Sequence, residues 1–199
     1  MGCEAMALFR LGASEAPTVV RGEGLYLRAP EPRDYPAWSS LREQSRAFLT
    51  PWEPVWPADD LTRSAFRRRL RRYADEIAAD EAYPFLLFRA GDHRLLGGLT
   101  LGNIRRGVAQ AATLGYWMGQ PYAGQGWMTR AVNAACGHAF ETLRLHRVEA
   151  ACLPANTPSR KLLERAGFRP EGHARAYLKI NGVWEDHLLF ARLESDRAS

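Results

Sequence analysis

The stretch GYWMGQPYAGQGWMTRA, Gly115 to Ala131, decides the fold, because it runs from a predicted strand through a glycine turn into a predicted helix. A P-loop needs Lys and then Ser or Thr after its second glycine, and Trp127-Met128 stands there instead. The dinucleotide fingerprint needs a third glycine at the position of Thr129. Two interpretations of Gly124-Gln125-Gly126 stay open on this segment alone: an anion site at a helix N-terminus, or a tight turn without a ligand.

Length and composition indicate one soluble globular domain of 199 residues, with 46% hydrophobic and 25% charged residues. The formal net charge of +5 suits a polyanionic ligand such as a nucleotide, and it falls short of a dedicated nucleic-acid binder. Cys3, Cys136 and Cys152 are too few and too scattered for a disulfide framework or a zinc site. This usage favours a reducing, cytoplasmic setting.

The N-terminal segment carries no membrane or export signal. No apolar run approaches the roughly 20 residues of a membrane span. The opening MGCEAMALFRLG has an acidic residue where a signal peptide is basic. We therefore expect a flexible leader over residues 1–22, a single domain over residues 23–199, and no membrane association.

Periodicity along the chain predicts the order strand, two helices, three strands, helix, strand, helix and two strands. The three central strands follow one another with short turns, which is typical of an antiparallel meander. Asn181-Gly182 between alternating strands predicts a type I′ hairpin turn at the end of the chain. The fold class is therefore α/β in the mixed, α+β sense: one mostly antiparallel sheet flanked by helices.

The second helix carries arginines on its polar face: Arg67, Arg68, Arg69, Arg71 and Arg72. A solvated helix face and a weak contact with RNA, the ribosome or an acidic partner both agree with this pattern.

Two motifs taken together carry a resemblance to a known family. LGYWMGQPYAGQGWMTRAV and the downstream NTPSRKLLERAGF resemble the acetyl-CoA-binding halves of the GNAT superfamily of N-acetyltransferases. HRVEA and the tail GHARAYLKINGVWEDHLLFARL resemble the branch of ribosomal-protein N-terminal alanine acetyltransferases. The resemblance covers roughly residues 24–193.

The resemblance implies that the glycine turn holds the pyrophosphate of acetyl-CoA on main-chain amides from Tyr122 to Trp127. The strand from Gly115 to Met118 would pair with the pantetheine arm. The residues it assigns to the cofactor are Tyr116, Trp117, Met118, Tyr122, Ala123, Gly124, Gln125, Gly126, Trp127, Met128, Thr129 and Asn156.

The resemblance also implies catalytic roles. The family's N-x-x-S pattern matches Asn156-Thr157-Pro158-Ser159 and places the Ser159 hydroxyl near the coenzyme sulfur. Ordinary helix capping by Asn156 is the alternative. For the general base we expect Glu149, which lies mid-strand, where half-burial would raise the pKa of its carboxyl. A paired or outward-facing Glu149 is the competing interpretation.

The acceptor pocket is predicted less sharply. Tyr83 and Asn103 lie near the ends of central strands, and Trp52 and Trp56 lie in a proline-rich loop that can wall a cleft. We propose no metal, since the histidines show no ligand spacing. The acceptor implied by the resemblance is the α-amino group of a ribosomal protein that begins with Ala or Ser. A small amine acceptor, a non-catalytic acyl-CoA- or RNA-binding domain, and a monomer or homodimer all stay open.

Overall fold

A computed structural model describes residues 18–198, and its strands form a single eight-stranded sheet in the order β1-β2-β3-β4-β5-β6-β8-β7. Every neighbouring pair is antiparallel except β5 and β6, which run parallel. The strands are β1 (Val19–Gly22), β2 (Leu25–Arg28), β3 (Tyr83–Arg89), β4 (Leu95–Arg105), β5 (Ala111–Met118), β6 (Arg147–Cys152), β7 (Arg169–Ile180) and β8 (Val183–Leu193). The mixed, mostly antiparallel sheet expected from the sequence is confirmed.

Helices cover both faces of this sheet. They are α1 (Tyr35–Gln44), α2 (Arg46–Leu49), α3 (Arg63–Ala78), α4 (Trp127–Glu141) and α5 (Thr157–Arg165). The apolar stripe of α4 packs with the inward-facing residues of the sheet into the main core, which also takes Leu163 of α5. Trp38 and Leu41 of α1 and Phe66 of α3 form a second core on the opposite face. We call these the α4 face and the α1/α3 face.

The sequence determines where α5 ends. Gly167 adopts φ +77°, the left-handed conformation that glycine tolerates best after a helix. The Phe168 N–H donates to the Leu163 carbonyl at 3.0 Å, and the Gly167 N–H donates to the Glu164 carbonyl at 3.0 Å. Leu163 and Phe168 are both buried in the main core, so α5 is held firmly against the sheet.

The predicted leader was wrong at its C-terminal end. Val19–Gly22 forms β1, which pairs antiparallel with β2 from Val19↔Arg28 to Gly22↔Leu25. Val20 is buried in the main core, and that burial accounts for the order of this short strand. Residues 1–17 lie outside the described part of the chain.

The predicted hairpin turn is confirmed. Asn181 and Gly182 have φ of +44° and +86°, and positive φ at both central residues is the signature of a type I′ turn. Within residues 18–198, no helix is long and apolar enough to cross a membrane.

Candidate active site

The site begins where the two parallel strands separate. β5 and β6 pair from Ala111↔Arg147 to Leu114↔Ala150. β5 then continues to Met118 while remaining paired with β4 on its other side. β6 ends at Cys152. The segment from Gly115 to Met118 therefore has one partner strand and one unpaired edge. We call this gap between β5 and β6 the opening.

The unpaired edge offers main-chain hydrogen-bonding groups. In an antiparallel pair, alternate residues direct both their N–H and their C=O groups to the same neighbour. The Gly119 N–H donates to the Leu96 carbonyl at 2.8 Å, so Trp117, two residues earlier, also faces β4. The main-chain groups of Tyr116 and Met118 consequently face the opening, where an extended amide-containing ligand can pair with them as an added strand does.

A helix begins at the end of this edge, and its first turn is open. Gly126 is the N-cap of α4 in the left-handed conformation, with φ +76° and no side-chain cap. Gly124 has φ +74°. A Cβ built on either glycine would meet nothing within 4 Å. The first N–H groups of a helix have no partner inside the helix, and the dipole adds positive potential, so this end is suited to an anion.

The predicted set of amide donors needs a correction. The Tyr122 N–H donates to the Gly119 carbonyl at 2.9 Å, and the Ala123 N–H donates to the Gln120 carbonyl at 3.2 Å. A short 3₁₀ turn at Gln120–Tyr122 thus uses these two amides. An anion at the helix end would therefore contact amide N–H groups that follow Ala123 in the chain. The Gln125 side chain donates to the Pro121 carbonyl and accepts from the Trp127 indole, which stiffens the loop.

The remaining positions assigned to the cofactor lie around this helix end. Met128 is buried in the main core, so only its main chain is placed to meet a ligand. Thr129 is half-buried in the first turn of α4. Trp127 packs partly against the main core, and the Arg130 guanidinium lies over its ring at 4.1 Å.

Ser159 lies in the first turn of α5, and its hydroxyl contacts β5. Ser159 Oγ and the Tyr116 hydroxyl lie 2.6 Å apart. The Ser159 N–H donates to Asn156 Oδ1 at 3.1 Å, so Asn156 caps α5 as the alternative interpretation of this motif expected. Burial raises the pKa of the Cys152 thiol, and a hydrogen bond with Ser159 opposes that rise. The serine is therefore joined to the strands on both sides of the opening.

Glu149 does not have the properties expected of the base. Val148 and Ala150 on either side of it are buried in the main core, so Glu149 points to the α1/α3 face. Partial burial favours its neutral form, but hydrogen bonds from Arg147 and Arg105 outweigh burial and hold the pKa of this carboxyl below its usual value. Arg147 Nε lies 2.8 Å from Glu149 Oε1. The predicted rise in pKa was wrong, because Arg147, two residues earlier on the same strand, and Arg105, 44 residues away, both pair with this carboxylate.

The α1/α3 face carries a wall built from four side chains, Arg42, Glu53, Trp56 and Trp117, which we call the Arg42 cluster. Arg42 donates to both carboxylate oxygens of Glu53 at 2.8 and 2.7 Å. The Trp56 indole N–H donates to Glu53 Oε2 at 2.7 Å. The Arg42 guanidinium lies 4.0 Å from the Trp56 ring and 4.9 Å from the Trp117 ring. Two aromatic rings and one ion pair thus connect α1, the proline-rich loop and β5.

Next to the Arg42 cluster the sheet is open. Gly115 and Trp117 point to the same face of β5, and a Cβ at Gly115 would meet nothing within 4 Å. A cavity of about 120 Å³ lies beside Trp117. Its polar lining residues are Arg42, Arg69, Tyr73 and Thr100. A larger groove of about 500 Å³ lies at the C-terminal end of α5, away from Ser159.

The four residues predicted for the acceptor pocket are brought together only in part. Trp56 belongs to the Arg42 cluster, and Trp52 lies half-buried four residues earlier in the same loop. Tyr83 is on the α4 face and donates to Asp80 Oδ1 at 2.8 Å; burial, followed by Asp80, raises its pKa to about 12. Asn103 is exposed in a bulge of β4 with φ +48°, a conformation that asparagine tolerates well.

Arg42, Glu53 and the Tyr116 hydroxyl are the features that sequence reasoning missed. Arg42 and Glu53 are eleven residues apart, separated by α2 and a short 3₁₀ helix, without a periodic pattern that would pair them. Buried arginine is rare without an acidic partner, so an arginine on the apolar face of α1 is the signal that could have found the pair.

The arginine face of α3 is partly neutralised. Arg68 pairs with Asp59 at 2.5 Å, Arg69 with Asp60 at 2.6 Å, and Arg72 with Glu76 at 3.3 Å. Arg67 and Arg71 are exposed. Over residues 18–198, no group of three or more His, Cys, Asp or Glu side chains is arranged to hold a metal ion.

The sequence profile described as an acetyltransferase (GNAT) domain matches residues 24–169. The chain therefore belongs to the GNAT family and is an acetyltransferase. The opening and the uncapped helix lie within the matched region, which also includes Ser159.

Two similar proteins narrow the type of acetyltransferase. The chain is 39% identical over 178 residues to YjcK of Bacillus subtilis, a probable N-acetyltransferase, covering 89% of this chain and 98% of the relative. It is 35% identical over 172 residues to the ribosomal protein uS5-alanine N-acetyltransferase of Escherichia coli, covering 86% and 89%. The chain is thus an N-acetyltransferase similar to the ribosomal-protein type.

A solved structure agrees with the fold. RimJ of Mycobacterium smegmatis, in complex with CoA-disulfide, superimposes with a TM-score of 0.85 at 32% identity. The match covers 92% of this chain and 89% of RimJ.

Proposed function

We propose that this protein transfers the acetyl group of acetyl-CoA to the α-amino group of a protein that begins with Ala or Ser, most specifically a ribosomal protein. The observation that carries the proposal is the opening itself. An unpaired strand edge runs from Ser159 and Tyr116 to the uncapped N-terminus of α4. One end of the site is thus suited to a pyrophosphate and the other to a thioester.

The residues fit coenzyme A in shape and charge. Main-chain groups of Tyr116 and Met118 would pair with the amides of the pantetheine arm. The main-chain N–H groups in the first turn of α4, directly after Gly126, would donate to the pyrophosphate. The glycines leave this approach free of any Cβ. Bound acetyl-CoA supplies an activated thioester carbonyl; everything else in the reaction is supplied by the acceptor and by this chain.

The acceptor nitrogen needs little activation. An α-amino group has a pKa of about 7.7–8.0, so removing its proton near pH 7 costs only about 1 kcal/mol. The α1/α3 face beside Gly115 is the side from which the amine approaches, with the Arg42 cluster as its wall. A water held there is a sufficient base, and Glu149 is left as a paired carboxylate.

Two groups stabilise the charge that develops during transfer. The Tyr116 N–H, on the unpaired edge at the end nearer Ser159, would donate to the oxyanion, which is worth about 3 kcal/mol. The Tyr116 carbonyl and the main chain of Met118 would pair with the pantetheine amides. As the carbon–nitrogen bond forms and the carbon–sulfur bond breaks, the proton lost by the amine is finally taken up by the sulfur. Ser159 would donate a hydrogen bond to that sulfur while it carries negative charge.

The ribosomal substrate is proposed on sequence similarity to the Escherichia coli alanine acetyltransferase. The test is to follow free thiol release with acetyl-CoA and a panel of acceptors. The panel contains peptides beginning with Ala or Ser, the same peptides with a blocked N-terminus, and small amines. We expect turnover only with free Ala or Ser termini. Turnover with small amines and with no peptide would overturn the acceptor assignment and leave the transferase chemistry intact.

A contact between α3 and ribosomal RNA is a separate proposal, supported only by exposed Arg67 and Arg71. We expect RNA binding to strengthen as the salt concentration is lowered. We also expect it to be lost when both arginines are changed to Ala. Equal RNA binding by the wild type and the variant would exclude this surface as the RNA-binding site.

The oligomeric state is a separate question. Light scattering of the purified protein distinguishes a monomer from a homodimer.

A further inference from the structure

Tyr116 makes a contact that pairing along a strand does not require. Its side chain lies on the α4 face of β5, whereas Ser159 belongs to α5, 43 residues further along the chain. Their hydroxyl oxygens are 2.6 Å apart, a short hydrogen bond that crosses from one wall of the opening to the other. The contact therefore lies at the place where the coenzyme sulfur is expected.

The surroundings of Tyr116 keep its phenol protonated. Burial raises its pKa to about 12, and the hydrogen bond with Ser159 opposes that rise. A phenol with a free hydrogen is a better donor than an aliphatic hydroxyl, and serine oxygen has lone pairs to accept it. When the phenol donates to Ser159 Oγ, the serine keeps its own hydrogen for another acceptor.

Ser159 is also restrained from other directions. Asn156 holds its main-chain N–H, and Cys152 interacts with its hydroxyl from β6. These contacts fix the serine oxygen relative to both strands. The serine hydroxyl can donate its hydrogen to the Cys152 sulfur or into the opening, and a phenol that donates to Ser159 Oγ excludes the third direction, toward Tyr116 itself.

We propose that Tyr116 is a positioning residue for acetyl transfer: its hydroxyl donates to Ser159 Oγ and thereby directs the serine hydrogen at the departing thiolate. This role rests on the proposed function, because it presupposes coenzyme A in the opening. No proton leaves Tyr116. The proton balance is unchanged, and the phenol only orients the donor.

The test is the pKa of the thiol of bound coenzyme A, read from the ultraviolet absorbance of its thiolate. A hydrogen bond to the charged form lowers a pKa, so the thiol bound to the wild-type protein should titrate at lower pH than in the variants. Complexes with desulfo-CoA supply the background from protein tyrosines and cysteines. The variants are Tyr116→Phe, Ser159→Ala and the double substitution. Tyr26→Phe, on β2 of the α1/α3 face, removes a hydroxyl that is hydrogen-bonded to His93 and is the matched control.

We expect Tyr116→Phe and Ser159→Ala each to raise the thiol pKa by about one unit. The double substitution should raise it no further, and the dissociation constant of coenzyme A should stay within about twofold. With peptide acceptor, kcat should fall about tenfold in each single variant, without a matching change in KM for acetyl-CoA.

Two results would overturn the role of Tyr116. One is a thiol pKa in Tyr116→Phe equal to that of the wild type while Ser159→Ala raises it. The other is a shift of the thiol pKa in the double variant that equals the sum of the shifts in the two single variants. Failure of the wild-type protein to bind coenzyme A in calorimetry is a different outcome, because it would overturn the proposed function itself.

Discussion

The two regions proposed to bind the cofactor and the acceptor, which we call the cofactor side and the acceptor side, are built in different ways. The cofactor side uses main-chain groups: the free edge of β5 and the uncapped start of α4, with glycine at φ +74° and +76°. The acceptor side, which is the α1/α3 face proposed to meet the amine, uses side chains, above all the buried ion pair of Arg42 and Glu53 with two tryptophans around it. A site built from main chain tolerates many side chains around a few glycines. A site built from side chains depends on each partner.

This difference has a consequence for substitutions. Changes on the cofactor side should weaken coenzyme binding and leave the fold nearly intact. Changes in the Arg42 cluster should destabilise the fold and alter the binding of the acceptor. They should leave coenzyme binding almost unchanged.

The largest effect is expected from Glu53→Gln. The Arg42 side chain is only 8% exposed, so the substitution leaves a buried charge without its partner. Loss of one member of a buried pair costs about 3 kcal/mol of unfolding free energy. Urea unfolding measures it. Glu43→Gln is the control, because the Glu43–Arg46 pair is solvent-exposed and its loss should lower the unfolding free energy far less. Equal losses in the two variants would show that the Arg42 cluster is not a buried unit.

The next effect is expected from Gly126→Ala. A Cβ is disfavoured at φ +76°, so the first turn of α4 would shift away from the coenzyme. Calorimetry should show coenzyme A binding about tenfold more weakly. Gly107→Ala is matched to it: Gly107 has φ +64°, and an added Cβ there also meets nothing within 4 Å. If both variants bind coenzyme A as the wild type does, the helix end is not the phosphate site.

A smaller effect is expected from Glu149→Gln. The carboxyl is held ionised by Arg147 and Arg105, so it is not poised to take a proton near neutral pH. Turnover should stay within about twofold of the wild type, and the free energy of unfolding should fall by less than about 1 kcal/mol. A fall in kcat of a hundredfold or more would restore Glu149 as the base.

The smallest effect concerns His138, which lies in the last turn of α4 and packs edge-on against Phe85 of β3. Burial lowers the pKa of its imidazole, and Nε2 has no partner among the described residues. The unfolded chain then takes up this proton at higher pH than the folded protein does. Unfolding free energy should therefore be constant above about pH 6.5 and decrease as the pH falls below it. In His138→Phe this part of the decrease should vanish; an unchanged pH profile would contradict it.

The strand, turn and helices of the cofactor side could be predicted from the sequence because their signals are local, and the assignment of coenzyme A to individual residues there stays a prediction. The glycine turn, the helix that follows it and the N-x-x-S motif each lie within a few residues. The hairpin at Asn181-Gly182 was equally local. These features follow from main-chain conformation, which a short stretch of sequence specifies.

The remainder depends on contacts that no local pattern encodes. Hydrogen bonds from Arg147, which is local, and from Arg105, which is 44 residues away, together reversed the expected shift of the Glu149 pKa. Tyr116 and Ser159 meet only because β5 and α5 flank the same opening. β1 was missed because only Val20 of its four residues is buried, so VVRG shows no alternation, whereas LYLR of the equally short β2 alternates. Tertiary structure decided each of these cases.

The most direct test is a crystal structure with coenzyme A bound. The account predicts the pyrophosphate at the first free amides of α4, the pantetheine arm along Tyr116 and Met118, and the sulfur within hydrogen-bonding distance of Ser159 Oγ. A coenzyme whose phosphates lie elsewhere, or whose sulfur is remote from Ser159, would contradict the central claim.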